Sequence, residues 1–465
     1  MLSVLISPIG ILILSIILIV VAIAVFRINA FFTLMIAALF VALMAAINQA
    51  GDQRFTKAIE TVMTESGVAM SRVGFPIALA AVIGMCLMES GAADKIIRRF
   101  IAVLGESRAA IALLLCSFFL AAPVFVDTVL MLMLPLARAL SLRTGKDYLF
   151  YVLAICTGAA VSNGTIPPAP GPLFVAETLK IDLGFVIIAG GLFGIIPLIG
   201  AHHIGKWFNA RIHVPVRPAP GSTVESLQAI AERPESELPG FWASIAPVLV
   251  PVVLIAAASL LSLFHSQISK DVSQALDFLG NKNIALTIGA VIAIVVYARQ
   301  RKIGWRAAGK VLGAPLETAG VIILIIAAGG AYGAMIKYAG VGEAVRRLAG
   351  GHALNFVLLA WTTAAVLRAA LGSATVATIT AVGIMLSIAG PAGFGVHRLY
   401  ILIAIGFGAK FLSWMNDPGF WVICRLGGLT QGETLRSWSI AVSLVSIIGL
   451  LEVLLVSSLF PQLPF

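Results

Sequence analysis

Charge is scarce in this sequence. Of 465 residues only 11% are Asp, Glu, Lys or Arg, and 60% are hydrophobic, whereas soluble domains average about 25% charged residues. A separate soluble catalytic domain does not fit such a composition, and a mean hydropathy of +1.05 marks an integral membrane protein. Cysteine is also rare. Cys86, Cys116, Cys156 and Cys424 lie in apolar stretches without CxxC spacing, so they read as small core residues, neither disulfides nor metal ligands. His202, His203 and His213 lack a third ligand at zinc spacing. No HExxH, GxSxG or Walker glycine loop occurs. The expectation is a protein that is not an enzyme and needs no cofactor or metal.

Apolar runs are what the chain has instead. They are long and continuous, as from Ile11 to Phe26, without the ten-residue alternation of an outer-membrane barrel. At about 20 residues per crossing there is room for roughly ten to twelve membrane-embedded helices. The first run has no charged segment before it and is too long for a signal peptide, so it is expected to be the first span. The net charge of +10 is accounted for by cytoplasmic loops, which collect Lys and Arg, and no nucleic-acid partner is indicated.

Simple spans are expected near 4–26, 30–49, 73–91, 183–200, 241–264, 284–298, 313–337 and 437–460. Four other apolar regions are interrupted. Residues 109–141 break at Ala121–Asp127 and 353–391 at Arg368–Thr375, each long enough for two half-membrane helices joined at a tip. Residues 148–180 carry Ser162-Asn-Gly-Thr-Ile-Pro-Pro-Ala-Pro-Gly-Pro172, and 398–426 carry Ser413-Trp-Met-Asn-Asp-Pro-Gly-Phe420. Proline cannot continue a helix, so these two are expected to be helices unwound in the middle.

The two halves resemble one another. Gly84, Gly91, Asp94 and Arg98 line up with Gly333, Gly340, Glu343 and Arg347, and Tyr151 meets Tyr400 in the same register. The basic stretches at Lys95–Arg108, Arg138–Lys146 and Arg299–Lys310 are placed in the cytoplasm, and the 265–283 loop outside. The two halves then have opposite orientation. The fold expected is an all-α polytopic membrane protein of two inverted repeats, 1–202 and 241–465, each with a re-entrant hairpin and a broken transmembrane helix. The Pro-rich segment 203–240 is the linker, with at most a short helix around 222–233.

Inverted repeats with broken helices are the physical signature of a secondary transporter, because unwound backbone offers amides and carbonyls to substrate and ions. The interruptions gather Asp127 and Thr128, then Ser162, Asn163 and Thr165, then Arg368, Ser373, Thr375 and Thr378, then Asn416 and Asp417. Arg368 either pairs with Asp127 or Asp417, or presents its planar fork to a substrate carboxylate. It is the only basic side chain expected at any interruption, which predicts a monocarboxylate ligand. Asp417 either caps a helix or takes part in ion coupling. Asp127 and Asp417 are the candidate proton carriers.

Met88-Glu-Ser-Gly-Ala-Ala93, Pro123-Val-Phe-Val-Asp127, Ile166-Pro-Pro-Ala-Pro-Gly-Pro172, Leu367–Ala377, Asn416-Asp-Pro-Gly-Phe-Trp421 and Gly432–Trp438 together resemble the gluconate permease family of the ion transporter superfamily, over nearly the whole chain. The resemblance implies uptake of a gluconate-like sugar acid or small hydroxy-monocarboxylate by proton symport across the bacterial inner membrane. It also implies a homodimer with a fixed scaffold and a mobile transport domain, an elevator. Sodium coupling, or a hydroxy amino acid such as D-serine, is the alternative, with an intramembrane enzyme or channel far behind. Family members usually carry a histidine where this chain has Ala169, which removes a protonatable group from the expected site.

Overall fold

The computed structural model describes residues 7–47, 52–145, 147–217, 234–262, 270–348 and 355–463. In chain order its helices are α1 (Pro8–Ala24), α2 (Ala30–Ile47), α3 (Arg54–Glu89), α4 (Ala92–Leu104), α5 (Ala109–Leu120), α6 (Val126–Thr144), α7 (Tyr148–Thr165), α8 (Pro170–Leu179) and α9 (Leu183–Arg211). There follow α10 (Phe241–Ser262), α11 (Lys270–Gly280), α12 (Lys282–Arg301), α13 (Trp305–Val311), α14 (Gly313–Tyr338), α15 (Val341–Leu348), α16 (Phe356–Leu371), α17 (Ala374–Ala389), α18 (Arg398–Gly408) and α19 (Pro418–Gly427). A short α20 (Gln431–Thr434) passes through a π-turn at Leu435–Ser439 into α21 (Ile440–Leu459). Eight stretches among the described residues are long and apolar enough to cross a membrane.

Two helices run well beyond the expected spans. α3 has 36 residues and starts at Arg54, not near 73. Its first turns carry Arg54, Lys57, Glu60 and Glu65, which hide them from a hydropathy reading. At 1.5 Å per residue α3 is about 54 Å long, well over the hydrocarbon thickness, so part of it lies in a polar zone. α9 continues to Arg211, which makes helix of the first nine residues assigned to the linker loop. The outer loop expected over 265–283 contains α11. The short helix expected at 222–233 lies outside the described residues.

The order long helix, short helix, hairpin, interrupted helix, long helix occurs twice, as α3–α9 and α14–α21. The breaks follow local chemistry. Pro170 and Pro418 each stand at the first position of the second half-helix, where their missing N–H would be unpaired anyway. Contacts recur with the repeat. α5 packs on α7 as α16 packs on α18, and α7 on α9 as α18 on α21. Each hairpin's second helix lies against the other repeat's second half-helix, α6 on α19 and α17 on α8. Reciprocal clamps tie the pieces together. Tyr148 donates to the carbonyl of Gly427 at 2.5 Å, and Arg398 Nη1 to that of Leu179 at 2.9 Å, both capping carbonyls left open at a half-helix end. At the crossing of α3 and α14, Gly74 faces Ile323, its own counterpart in the repeat register, so the two long helices meet about the repeat axis.

One pair of contacts breaks the symmetry. On α3, Gly84 faces Val124 at the tip of the first hairpin; on α14, the equivalent Gly333 lies against Gly383, in the middle of α17. α17 and α8 pack along α14 and α3. Among the described residues α6 and α19 have no comparable packing there, and a cavity opens in its place.

Close helix approach fixes the core. A Cβ added at Gly158 would stand 2.3 Å from the Leu114 carbonyl oxygen and from Ser117 Oγ, whereas one at Gly67 would meet nothing within 4 Å. Gly158→Val must therefore push α5 off α7, at a cost of about 1–3 kcal/mol or more, while Gly67→Ala leaves the packing unchanged. Thermal midpoints of the purified variants in detergent check this; equal midpoints would show that the α5/α7 contact is not a close one.

Candidate functional site

The cavity has a volume of about 270 Å³ and receives all four interruptions. The first turns of α6, α8, α17 and α19 form part of its wall. Four helix N-termini thus bring their positive dipole ends and open amides to one space, an environment suited to an anion. α14 closes the side with Thr318 and Ile322.

Arg368 is 4% exposed, and its Nη2 donates to Asp417 Oδ2. The same carboxylate accepts from Ser413 Oγ through Oδ2 and, at 3.0 Å, from the Gly419 amide through Oδ1, so Asp417 is both ion partner and cap of α19. Trp438 Nε1 donates to Ser413 Oγ at 2.8 Å and holds that hydroxyl in place. Arg368 Nε and Nη1 are buried with no hydrogen-bond partner among the described residues. Buried donors without partners cost about 1–3 kcal/mol each, and these two belong to a side chain lining the cavity.

Asp127 opens into the cavity and has no ion pair or hydrogen bond among the described residues. Asn163 lines the same wall, as do Ser373, Thr375 and Thr128. Ser373 also accepts from the Val376 amide at 3.4 Å as the cap of α17. Four other candidates stand back from the wall. Thr165 Oγ1 donates to the Val161 carbonyl at 3.0 Å, Thr378 packs against Gly171, and Ser162 is fully buried with no partner for its hydroxyl among the described residues. Asn416 Nδ2 donates to the carbonyls of Ala369 at 2.8 Å and Ala370 at 3.3 Å, pinning the second hairpin tip to the second break. Ala169 stands at the N-cap of α8 with no side-chain hydrogen bond.

Arg368 is not the only cation. Lys410, two residues past α18, is 9% exposed, lines the cavity and donates from Nζ to Asn163 Oδ1 at 2.7 Å. The expectation of a single basic side chain is corrected accordingly. Lys410 sits just before the stretch recognised by its proline and polar residues, inside an apparently uninterrupted run. The signal available was its isolation, since it is the only basic residue between Leu399 and Cys424, and an intramembrane charge is a functional candidate by default. Among the described residues no group of three or more His, Cys, Asp or Glu side chains has an arrangement able to hold a metal ion.

Farther along α8, α14 and α17 is a second cavity of about 570 Å³, lined by Phe174, Thr178, Lys337 and Gly383 among others. It contains none of the interruptions.

Comparison with known proteins bears on the family and the fold. The GntP family permease model matches residues 7–459. The chain is 31% identical over 437 residues to a gluconate permease of Pseudomonas aeruginosa, covering 93% of both chains. It is 30% identical over 438 residues to the Gnt-II system L-idonate transporter of Escherichia coli, covering 93% of this chain and 95% of that one. The crystal structure of the Alcanivorax borkumensis YdaH transporter, described as having an unusual topology, superposes with a TM-score of 0.67 at 14% identity, over 93% of this chain and 98% of that one. The polytopic fold, the broken helices gathered at one cavity and the family match along nearly the full length lead to one conclusion: the chain belongs to the GntP permease family, whose members are transporters and not enzymes.

Proposed function

We propose that this protein is a secondary transporter of the cytoplasmic membrane that imports a gluconate-like sugar acid, or a small hydroxy-monocarboxylate, together with a proton. The observation that carries the reading is Arg368, which lines a cavity ringed by helix N-termini, is held by Asp417 on one nitrogen and keeps two further buried nitrogens without a hydrogen-bond partner among the described residues. A carboxylate satisfies those donors, and the hydroxyl and amide groups of Ser373, Thr375 and Asn163 suit a polyol chain. At about 270 Å³ the cavity lies below the ~300–1,000 Å³ of drug-sized pockets, which favours a small acid. The relatives named for gluconate and L-idonate support the same class.

Coupling follows from charge. Importing a monoanion against an inside-negative potential costs about 2.3 kcal/mol per 100 mV, and one accompanying proton removes that cost. Asp127 is the acid in this reading, because Asp417 is already committed to Arg368, Ser413 and Gly419. Ser162, Thr165, Thr378 and Asn416 are then supporting residues of the site.

Movement in this reading is an elevator. Aligning the starts of α6 and α17 makes Val124 the counterpart of Gly372, yet Gly333 meets Gly383, about eleven residues farther on. Exchanging the two repeats' contacts slides the hairpins and interrupted helices roughly 16 Å along α3 and α14, at 1.5 Å per residue. The second cavity provides space in that direction. In this reading the basic loops lie in the cytoplasm, so the present opening faces that side, and a homodimer holds the long helices fixed.

Four measurements test these statements. Uptake of labelled gluconate by proteoliposomes should follow an imposed pH gradient and ignore sodium; a sodium requirement, or uptake of D-serine alone, would replace this reading with the alternative. Asp127→Asn should still exchange gluconate between two filled sides but lose pH-driven accumulation, and full accumulation would remove Asp127 from coupling. Arg368→Lys keeps charge without the fork, so affinity should fall at least tenfold with little change in expression. For the elevator, cysteines at Ser373 and Ala334, in a chain without its four native cysteines, should cross-link only in the opposite-facing state; absence of the link in every substrate and gradient condition would refute the slide.

A further inference from the structure

Lys410 leaves one interrupted helix and ends on the other. It follows α18, and its Nζ is bonded to Asn163 in the last turn of α7, with Cε 3.2 Å from the position of a Cβ on Gly164. The C-terminal end of a helix favours a cation. An ammonium has three hydrogens, and Asn163 takes one. The other charged groups lining the cavity are Asp127 on α6, Arg368 on α16 and Asp417 at the start of α19. Arg368 and Asp417 pair with each other, so Lys410 is the second, separate basic group of the site.

We infer that Lys410 makes the site select hydroxy acids over the corresponding amino acids, a conclusion that rests on the proposed transport of a carboxylate bound at Arg368. With the carboxylate held there, the neighbouring carbon of the substrate also lies in a cavity that contains the Lys410 ammonium. A hydroxyl at that carbon has lone pairs to offer the remaining Lys410 hydrogens. An amino group is protonated at neutral pH, so it has no lone pair to offer, and it adds a like charge in a poorly hydrated space. Discrimination thus comes from repulsion of the wrong ligand as well as attraction of the right one.

Gluconate and 2-amino-2-deoxygluconate form a matched pair of probes, and each is tested as a competitor of labelled gluconate exchange in proteoliposomes containing the full chain. The parent should prefer gluconate by at least tenfold. Lys410→Gln keeps a donor for Asn163 but no charge, and should reduce that ratio at least tenfold or invert it; Lys410→Arg should keep it. A merely structural Lys410 would weaken both competitors equally, so an unchanged ratio in Lys410→Gln overturns the inference. Loss of all exchange in Lys410→Gln, with Lys410→Arg binding both probes equally, overturns it too. A parent that exchanges no sugar acid overturns the proposed function as well, whereas a parent that exchanges gluconate without discriminating between the two overturns this inference alone.

Discussion

Interrupting a helix inside a membrane leaves backbone donors and acceptors that water cannot reach, and the whole centre of this protein is organised by the need to satisfy them. Some are met by the chain itself. Asp417 takes the Gly419 amide, Ser373 takes that of Val376, and Asn416 covers the carbonyls of Ala369 and Ala370. At the outer ends of the half-helices the same need is met by Tyr148 on Gly427 and Arg398 on Leu179. The bonds of Asn416, Tyr148 and Arg398 join separate elements, so satisfying the ends also fixes the second hairpin and the half-helices to each other. The ends left over face the cavity.

The ion pair of Arg368 and Asp417 belongs to the same arrangement. A buried pair of this kind contributes little net stability, because desolvation offsets much of the attraction, but loss of either partner is costly. Here the carboxylate has a serine and a backbone amide in addition to the arginine, whereas the arginine has nothing else among the described residues. The imbalance leaves the guanidinium with hydrogen-bonding capacity that the described residues do not meet, on a side chain that lines the cavity. A fully satisfied arginine would hold the core together and offer nothing to a ligand.

How much of this was legible in the sequence depended on the kind of signal. Proline and clustered polar residues within apolar runs mark the interruptions at 121–127, 162–172, 368–375 and 413–420, and the paired glycines mark the repeat, so the class of fold could be read directly. Helix length was less visible wherever a helix leaves the hydrocarbon, because Arg54, Lys57, Glu60 and Glu65 make the first turns of α3 look like a loop. Within the site the difficulty was direction. Sequence places Ser162, Asn163 and Thr165 on the same turn, but only Asn163 reaches the cavity wall, because successive residues of a helix point about 100° apart and no periodicity shows which face meets an unknown partner. Lys410 was missed because it stands just before the polar cluster, in a run whose hydropathy hides a single charge.

Lys410 changes what the site is electrically, and this is the wider consequence of the structure. Read with Arg368 alone, the cavity has one cation and two acids and is negative when empty, a poor place for another anion unless it is already protonated. With Lys410 protonated the four charges cancel. The desolvation cost of charge in a poorly hydrated space is lowest when the site is neutral both before and after loading. A monoanion disturbs that balance by one unit, and a single proton on an acid without a partner restores it. In the proposed function Asp127 is the acid in that position. Its lack of an ion pair among the described residues, the commitment of Asp417 and the presence of Lys410 would then be three aspects of one condition, that the loaded and unloaded forms both cross the low-dielectric interior as neutral assemblies.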